Sequence, residues 1–251
     1  MELSEIFWNA SIEELKRGYI ENLDSYICLL CGKKLEMGII YPHEDILYEA
    51  ERYMRVHIEA THHSVFESLI DLDKKFTGLT DHQNQLLRLF FQGKNDSEVQ
   101  QEMGIGSAST IRHHRFALKE KERQARIFLT MMELLKEKDQ HAPAFVSIPK
   151  TARMLDERYN ITEEEHAEIV KKYFPGELAR RLIKFPLKEK QKLVILREIV
   201  KHVKSEKMYA EKELNQLLQV FYDDYALIRR YLIEYGFLDR KPDGSEYWLK
   251  K

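Results

Sequence analysis

The chain has 251 residues, of which 43% are hydrophobic and 33% are charged, with only 10 glycines and 6 prolines. This composition supports one to three folded domains and leaves little room for a turn-rich β architecture. No apolar run approaches the roughly 18 residues of a membrane span, and the start "MELSEIFWNA" lacks the pattern of a secretory signal. We therefore expect a cytoplasmic protein with no membrane partner.

The net charge of −2 conceals a strong asymmetry along the chain. Residues 1–76 hold 15 acidic and 8 basic side chains, whereas residues 181–251 hold 11 acidic and 16 basic ones. Residues 77–130 are also slightly basic, with 8 basic and 6 acidic side chains. This distribution predicts an acidic module joined to modules that can face a polyanion.

The N-terminal 76 residues are predicted to form an acidic helical module. Ser11 and Glu14 form a capping-box pattern, and apolar residues recur at helical spacing from Ile12 to Leu23. The stretch "YICLLCGKKLEMGIIYP" breaks that spacing and predicts a short hairpin. Helical patterns resume in "EDILYEAERYMRVHIEATHH" and in "SVFESLIDL".

The sequence predicts a metal site in this module, because Cys28 and Cys31 have the two-residue gap that lets both thiolates reach one ion. His57 and His62 follow at a spacing found in zinc fingers, with His63 as the alternative fourth ligand. We expect these four residues to hold a structural Zn²⁺ in a zinc-finger-like Cys2His2 site. The cysteines would otherwise form a redox pair or be buried, inert thiols.

Three helices are predicted between residues 80 and 126. The first, "DHQNQLLRLFFQG", ends at Gly93 in a left-handed cap. The second, "DSEVQQEM", has Asp96 as its expected N-cap and Val99 and Met103 as buried residues. After the turn "GIGS", the third helix should begin near Ser109. A short helix, a glycine-containing turn and a basic helix predict a helix-turn-helix unit, whose second helix enters the DNA major groove.

The third helix has the residue types that contact DNA. Its start holds three hydroxyl side chains, and cationic side chains follow at spacings of three or four. The hydroxyl residues are Ser107, Ser109 and Thr110, and the cationic stripe is Arg112, Arg115, Lys119, Arg123 and Arg126. Residues 107–127 carry six Arg or Lys and two Glu, and Ile111 should point inward. A charge run alone is also compatible with a solvated surface.

The stretch "LTDHQNQLLRLFFQGKNDSEVQQEMGIGSASTIRHHRFALKEK" resembles the DNA-binding domain of LuxR-type transcriptional regulators. The matching positions are Leu79-Thr80, Leu86-Leu87-x-Leu89, Gly93, Glu98-Val99, Ser107-x-x-Thr110-Ile111-x-x-His114 and Leu118-x-x-Lys121. This resemblance implies that five residues lie at or near DNA: Ser109, Thr110, Arg112, His113 and Arg115. The helix continues into "RIFLTMMELLKE", whose apolar residues predict either a homodimer contact or intradomain core.

The last 71 residues are predicted to form three helices and a two-stranded wing, a winged-helix-like module. The segment also resembles a C-terminal domain of unassigned function that accompanies bacterial regulators. That likeness rests on the pairs Phe185-Pro186, Asp223-Asp224 and Tyr247-Trp248, the runs 229–232 and 236–238, and Tyr209, Glu213, Asn215, Arg240 and Gly244.

The role of this module stays open at the level of sequence. Arg229, Arg230 and Lys241 would give a second DNA contact. Alternatively, a ligand pocket or dimer surface is lined by Tyr209, Asp224, Arg229, Tyr231 and Trp248, or Asp223-Asp224 and Arg229-Arg230 pair across one helix turn.

These patterns together predict a mainly α, multidomain fold. The segments are a zinc-finger-like module at 1–76, a LuxR-type helix-turn-helix domain with an extended helix at 77–140, a connector and helix at 141–180, and the winged-helix-like module at 181–251. We expect a bacterial, sequence-specific transcriptional regulator that binds double-stranded DNA and is not an enzyme, since no phosphate loop, nucleophile elbow or His-Glu-x-x-His motif occurs. The alternative is a protein-interaction adaptor or a thiol or zinc redox sensor with no direct DNA role. No small-molecule effector is identified by the sequence.

Overall fold

Two compact units make up the computed structural model, which describes residues 3–152, 156–175, 181–204 and 207–250. Unit 1 combines Met1–Asp73 with Ala144–Lys251, and unit 2 is Lys74–Pro143. Helices predominate and the strands are short, so the expectation of a mainly α fold is confirmed. The predicted segment boundaries at 76, 140 and 180 stay predictions.

The N-terminal part of unit 1 begins with two short helices, α1 (Leu3–Asn9) and α2 (Ile12–Arg17). The predicted capping box is confirmed, because the Ser11 side chain accepts from the Glu14 N–H and the Glu14 side chain accepts from the Ser11 N–H. The predicted continuation of this helix to Leu23 is wrong. Gly18 takes a left-handed conformation with φ of 83° and ends α2, since this region suits a residue without a Cβ.

Five strands follow in place of the single predicted hairpin: β1 (Tyr19–Glu21), β2 (Ser25–Cys28), β3 (Lys34–Glu36), β4 (Ile40–His43) and β5 (Ile46–Glu49). The first three form an antiparallel sheet in the order β1-β2-β3, with Tyr19 opposite Cys28 and Ile27 opposite Lys34. The remaining two form a separate hairpin. The next helix therefore begins later than its predicted start at Glu44.

Two helices complete this part, α3 (Ala50–His62) and α4 (Val65–Ile70). One face of α3 packs on the β1-β2-β3 sheet. The resulting core consists of Tyr19, Cys28, Leu30, Leu35, Ala50, Met54 and Ile58. Burial of these apolar side chains fixes α3 against the turn that follows β2.

Unit 2 contains four helices: α5 (Lys74–Thr77), α6 (Asp81–Phe91), α7 (Asp96–Met103) and α8 (Ala108–Lys136). Leu86, Val99 and Ile111 form its fully buried core, as expected for Val99 and Ile111. Gly93 has a φ of 79°, in agreement with its predicted left-handed conformation.

Two helix starts in unit 2 differ from the predictions by one residue each. Asn95, and not Asp96, caps α7, because the Asn95 side chain accepts from two backbone N–H groups. Ser107 caps α8, which begins at Ala108, one residue before the predicted start near Ser109.

Within its described residues, the C-terminal part of unit 1 holds four further α-helices and a small sheet. The elements are a 3-10 turn (Glu157–Tyr159), α9 (Glu163–Tyr173), α10 (Glu189–Val200), β6 (Tyr209–Ala210), α11 (Glu211–Gln219), α12 (Tyr225–Glu234), β7 (Leu238–Arg240) and β8 (Glu246–Leu249). The predicted two-stranded wing is present as β7 and β8, and β6 adds a third strand in the order β6-β8-β7. The predicted inward face of α10, including Leu193 and Ile199, is buried.

In the part of the chain that the structure describes, no helix is both long and apolar enough to cross a bilayer.

Candidate metal centre and nucleic-acid interface

The four predicted metal ligands come together in unit 1. Cys28 ends β2, Cys31 lies in the turn that follows, and His57 and His62 lie on α3. The Cys31 Sγ is 3.2 Å from the His57 Nε2, and the Cys28 Sγ is 3.8 Å from the His62 Nε2. One ligand atom from each residue lies within 4.8 Å of all the others. These four side chains can therefore hold one metal ion.

The turn between the cysteines is built by local hydrogen bonds. The Gly32 N–H donates to the Cys28 carbonyl, and the Cys28 N–H donates to the Lys33 carbonyl. Gly32 has a φ of 79°, a conformation that glycine adopts without steric cost. This turn brings both sulfur atoms to the side of the sheet that α3 covers.

The donor set fits a tetrahedral zinc ion. Zinc bonds of about 2.3 Å to sulfur and about 2.0–2.1 Å to nitrogen place the ligand atoms of a tetrahedron roughly 3.3–3.8 Å apart. The two Cys–His distances lie close to that range, and the largest separation would have to shorten by about 1 Å on binding. The Thr61 hydroxyl lies 3.1 Å from the His57 Nδ1, the ring nitrogen opposite the one that faces Cys31, and this contact orients the imidazole.

The two thiols have opposite pKa shifts. The hydrogen bond between them raises the pKa of Cys28, and burial raises it further. The same bond holds the pKa of Cys31 well below its ordinary value against the effect of burial, and a hydrogen bond with His57 contributes in the same direction. Within the pair the thiolate is thus favoured at Cys31, and metal binding requires both cysteines as thiolates.

His62, and not the alternative His63, belongs to this cluster. His63 follows the last residue of α3 with a φ of 60°, and its backbone N–H donates to the Glu59 carbonyl. The change of backbone direction at this residue separates the two neighbouring imidazoles.

Lys150 supports the metal cluster and was not predicted from the sequence. Its side chain is buried, and its Nζ donates to the carbonyls of Leu29 and Leu30, the two residues between the cysteines. Burial lowers the pKa of Lys150 to about 8. The lysine lies about 120 positions from the turn it holds, and no local spacing signals such a pair.

In unit 2, the start of α8 presents the predicted hydroxyl residues. Ser109 and Thr110 are exposed, and their hydroxyl oxygens lie 2.8 Å and 3.0 Å from the Ser107 Oγ. Ser107 therefore both caps the helix and orders the two hydroxyls beside it. Arg112 and His113 are exposed one half-turn further along.

The predicted cationic stripe is partly neutralised within unit 2. Arg115 pairs with Asp96 at 2.8 Å, and its guanidinium lies 3.6 Å from the centre of the Phe90 ring. Lys119 pairs with Glu122 and Arg123 with Glu120, both on α8 itself. All five cationic residues of the stripe are nevertheless exposed, so the charges stay accessible to a polyanion.

The apolar residues near the end of α8 do not form the core of unit 2. Their exposed fractions lie between 37% and 62%, and they are Ile127, Phe128, Leu129, Met131, Met132, Leu134 and Leu135. The interpretation of this segment as intradomain core is therefore wrong.

The predicted second DNA contact in the C-terminal part of unit 1 is largely engaged in internal pairs. Arg229 is 19% exposed, and its guanidinium donates to Glu211 and to Asn215, each at 2.6 Å. Lys241 pairs with Glu246 at 2.8 Å, whereas Arg230 is exposed.

The alternative that Arg229-Arg230 pair with Asp223-Asp224 is wrong. Asp223 pairs with Arg181, and the Asp224 side chain caps α12 by accepting from the Leu227 N–H.

Comparison with known families supports one part of the sequence analysis. Residues 181–249 match the family model described as an uncharacterized protein conserved in bacteria (DUF2087). This match agrees with the predicted bacterial C-terminal domain of unassigned function. No curated protein matches the chain, and no solved structure matches it.

Proposed function

We propose that the chain is a sequence-specific, DNA-binding transcriptional regulator of the LuxR type, which places the start of α8 in the major groove. The observation that carries this proposal is the arrangement of unit 2. A short helix, a turn at Gly104 and a long helix pack around three fully buried residues, and the start of the long helix leaves Ser109, Thr110, Arg112 and His113 exposed. Hydroxyl and guanidinium groups at this place suit base edges and phosphates.

A double substitution tests this proposal. The preferred DNA sequence is first selected from random duplexes with the full chain. Arg112→Ala with Arg115→Ala should then abolish binding at fixed salt, while Lys138→Ala, an exposed cation elsewhere in unit 2, leaves it unchanged. Circular dichroism checks that unit 2 stays folded. Unchanged affinity of the double variant would refute the proposal, and a lack of any selected sequence would favour the protein-interaction adaptor.

The metal centre takes a structural Zn²⁺ in this proposal. All four donors are thiolates or imidazoles, which zinc prefers, and four protein ligands leave no open position for a substrate. Metal analysis of the purified chain should give about one zinc per molecule. A value below a tenth of a zinc per chain, with folding retained in chelator, would refute the structural zinc site and favour the thiol redox sensor.

A second copy of the chain is the proposed partner for the exposed apolar end of α8. The helix has 29 residues and is about 43 Å long, so Ile127 lies roughly 22 Å along the axis from Arg112. A symmetric contact through this segment would separate the starts of the two α8 helices on one duplex. Two half-sites about one turn of DNA apart require such a separation. Sedimentation of the full chain would then give a dimer.

A further inference from the structure

A cavity of about 720 Å³ lies within unit 1 and is lined in part by Cys31 and Gly32. Three segments form it: the N-terminal residues, the connector at 149–151, and the C-terminal domain. Six cationic side chains line it, and no acidic side chain does so among the residues that the structure describes: Lys34, Lys150, Arg197, Lys201, Lys204 and Lys250. We call this the basic cavity.

Two of these cations make ion pairs with carboxylates. Lys34 pairs with Asp24 and Lys201 with Glu198, both across partly solvated contacts. Lys150, in contrast, donates to two neutral carbonyl groups and is buried. The basic cavity therefore carries an excess of positive charge, and water screens it poorly around the buried Lys150.

Two further lysines have side chains with no hydrogen-bond or ion-pair partner within the described ranges. Lys204 is exposed four residues after the end of α10, and Lys250 is half-buried directly after β8. The two come from different parts of the C-terminal domain, yet both line the basic cavity. Convergence of such cations is the arrangement that a bound anion would stabilise.

Much of the remaining lining is apolar. Leu3, Ile6 and Ile27 contribute from the N-terminal side, and Phe237 and Leu249 contribute from the C-terminal domain. A volume of several hundred Å³ with apolar walls and a few polar groups is typical of small-molecule sites. A DNA duplex, by comparison, needs a broad exposed surface and no apolar walls.

We propose that the basic cavity binds a small amphipathic anion, with a carboxylate or phosphate headgroup beside the lysines and an apolar body against the hydrophobic wall. The proposal is independent of the DNA-binding proposal, because it concerns unit 1 and none of the residues of α8. The occupant would contact both the Cys31 turn and the C-terminal domain.

The probe for this site is 8-anilinonaphthalene-1-sulfonate, an aromatic anion whose fluorescence rises on binding. N-phenyl-1-naphthylamine, the same ring system without the sulfonate, is the neutral control ligand. The full chain should bind one molecule of the anionic probe. Lys204→Glu with Lys250→Glu should weaken this binding at least tenfold and change that of the neutral ligand less than twofold. The milder pair Lys204→Gln with Lys250→Gln should also weaken binding of the anionic probe. This second variant keeps the test valid if the glutamate pair has a folding defect.

Lys184→Glu with Lys212→Glu makes the same change of charge at exposed positions outside the basic cavity and should bind the probe like the parent. Equal weakening by this control, or parental binding by both cavity variants, would overturn the proposal. Octanoate and octyl phosphate, added as competitors, distinguish the two headgroups, and displacement by either supports the site. Displacement by neither, or by a duplex oligonucleotide alone, would refute it.

Discussion

Replacement of His62 or His63 by alanine separates a metal ligand from its neighbour. His62 belongs to the four-residue cluster, with its Nε2 3.8 Å from the Cys28 Sγ, whereas His63 lies outside it. The two substitutions remove the same side chain at adjacent positions. His63 already has a positive φ as a residue with a Cβ, so alanine adds no new backbone strain there.

The expected difference in zinc affinity follows from the number of ligands. Removal of a group that only supports a ligand typically weakens metal binding 10- to 100-fold, so loss of the ligand itself should exceed that range. We expect His62→Ala to lower zinc affinity at least about a hundredfold, which corresponds to about 2.8 kcal/mol. His63→Ala should stay within about twofold of the parent.

Competition with a chromophoric zinc chelator measures both affinities, and thermal unfolding with excess zinc gives an independent reading. Zinc stabilises the folded state in proportion to the logarithm of its affinity, so only His62→Ala should lose most of the shift in Tm. Equal effects of the two substitutions, or unchanged affinity of His62→Ala, would show that the cluster geometry does not describe the metal site.

Three further predictions concern stability and assembly. Arg115→Ala should destabilise unit 2 by about 1 kcal/mol in urea, through loss of the Phe90 contact and the ion pair, whereas Arg112→Ala should not; equal effects would contradict the pairing. Ile127→Glu with Leu134→Glu should convert a dimer into a monomer in sedimentation, and a persistent dimer would exclude this contact. Burial opposes ionisation of Glu198, but hydrogen bonds from His166 and Lys201 outweigh this effect and lower its pKa to about 2. Glu198→Gln should therefore cost on the order of 2 kcal/mol at pH 7, and this difference should vanish as the pH falls from about 4.5 through 2; a constant difference would refute it.

The metal ligands could be predicted from the sequence because each pair is local. The gap between Cys28 and Cys31 is set by one turn, and the gap between His57 and His62 is set by one helix. What brought the two pairs together was the packing of α3 on the sheet. Tyr19 continues the helical spacing past Gly18, so the sequence predicted a helix where β1 lies. The partner of Tyr19 in the sheet is Cys28, nine residues later, and a periodic pattern does not reveal such a partner.

The interface of α8 shows the same limit. The start of α8 and the inward position of Ile111 followed from local spacing. Ser107 caps the helix and Ile111 is buried, as expected. The neutralisation of Arg115 did not follow, because Asp96 lies on α7 and becomes a neighbour only after the turn folds. Lys150 is the extreme case, since its partners are in a different module along the chain.

Lys150 and the connector around it also show that unit 2 is an insertion within unit 1. The chain leaves unit 1 after residue 73 and returns to it at residue 144, where the connector contributes to the N-terminal module through Lys150. A truncation near residue 140 would consequently strip unit 1 of its second half and expose apolar surface that the full chain buries. Excision of residues 74–143, with a short flexible linker in their place, is the deletion that should yield an intact, metal-binding fragment.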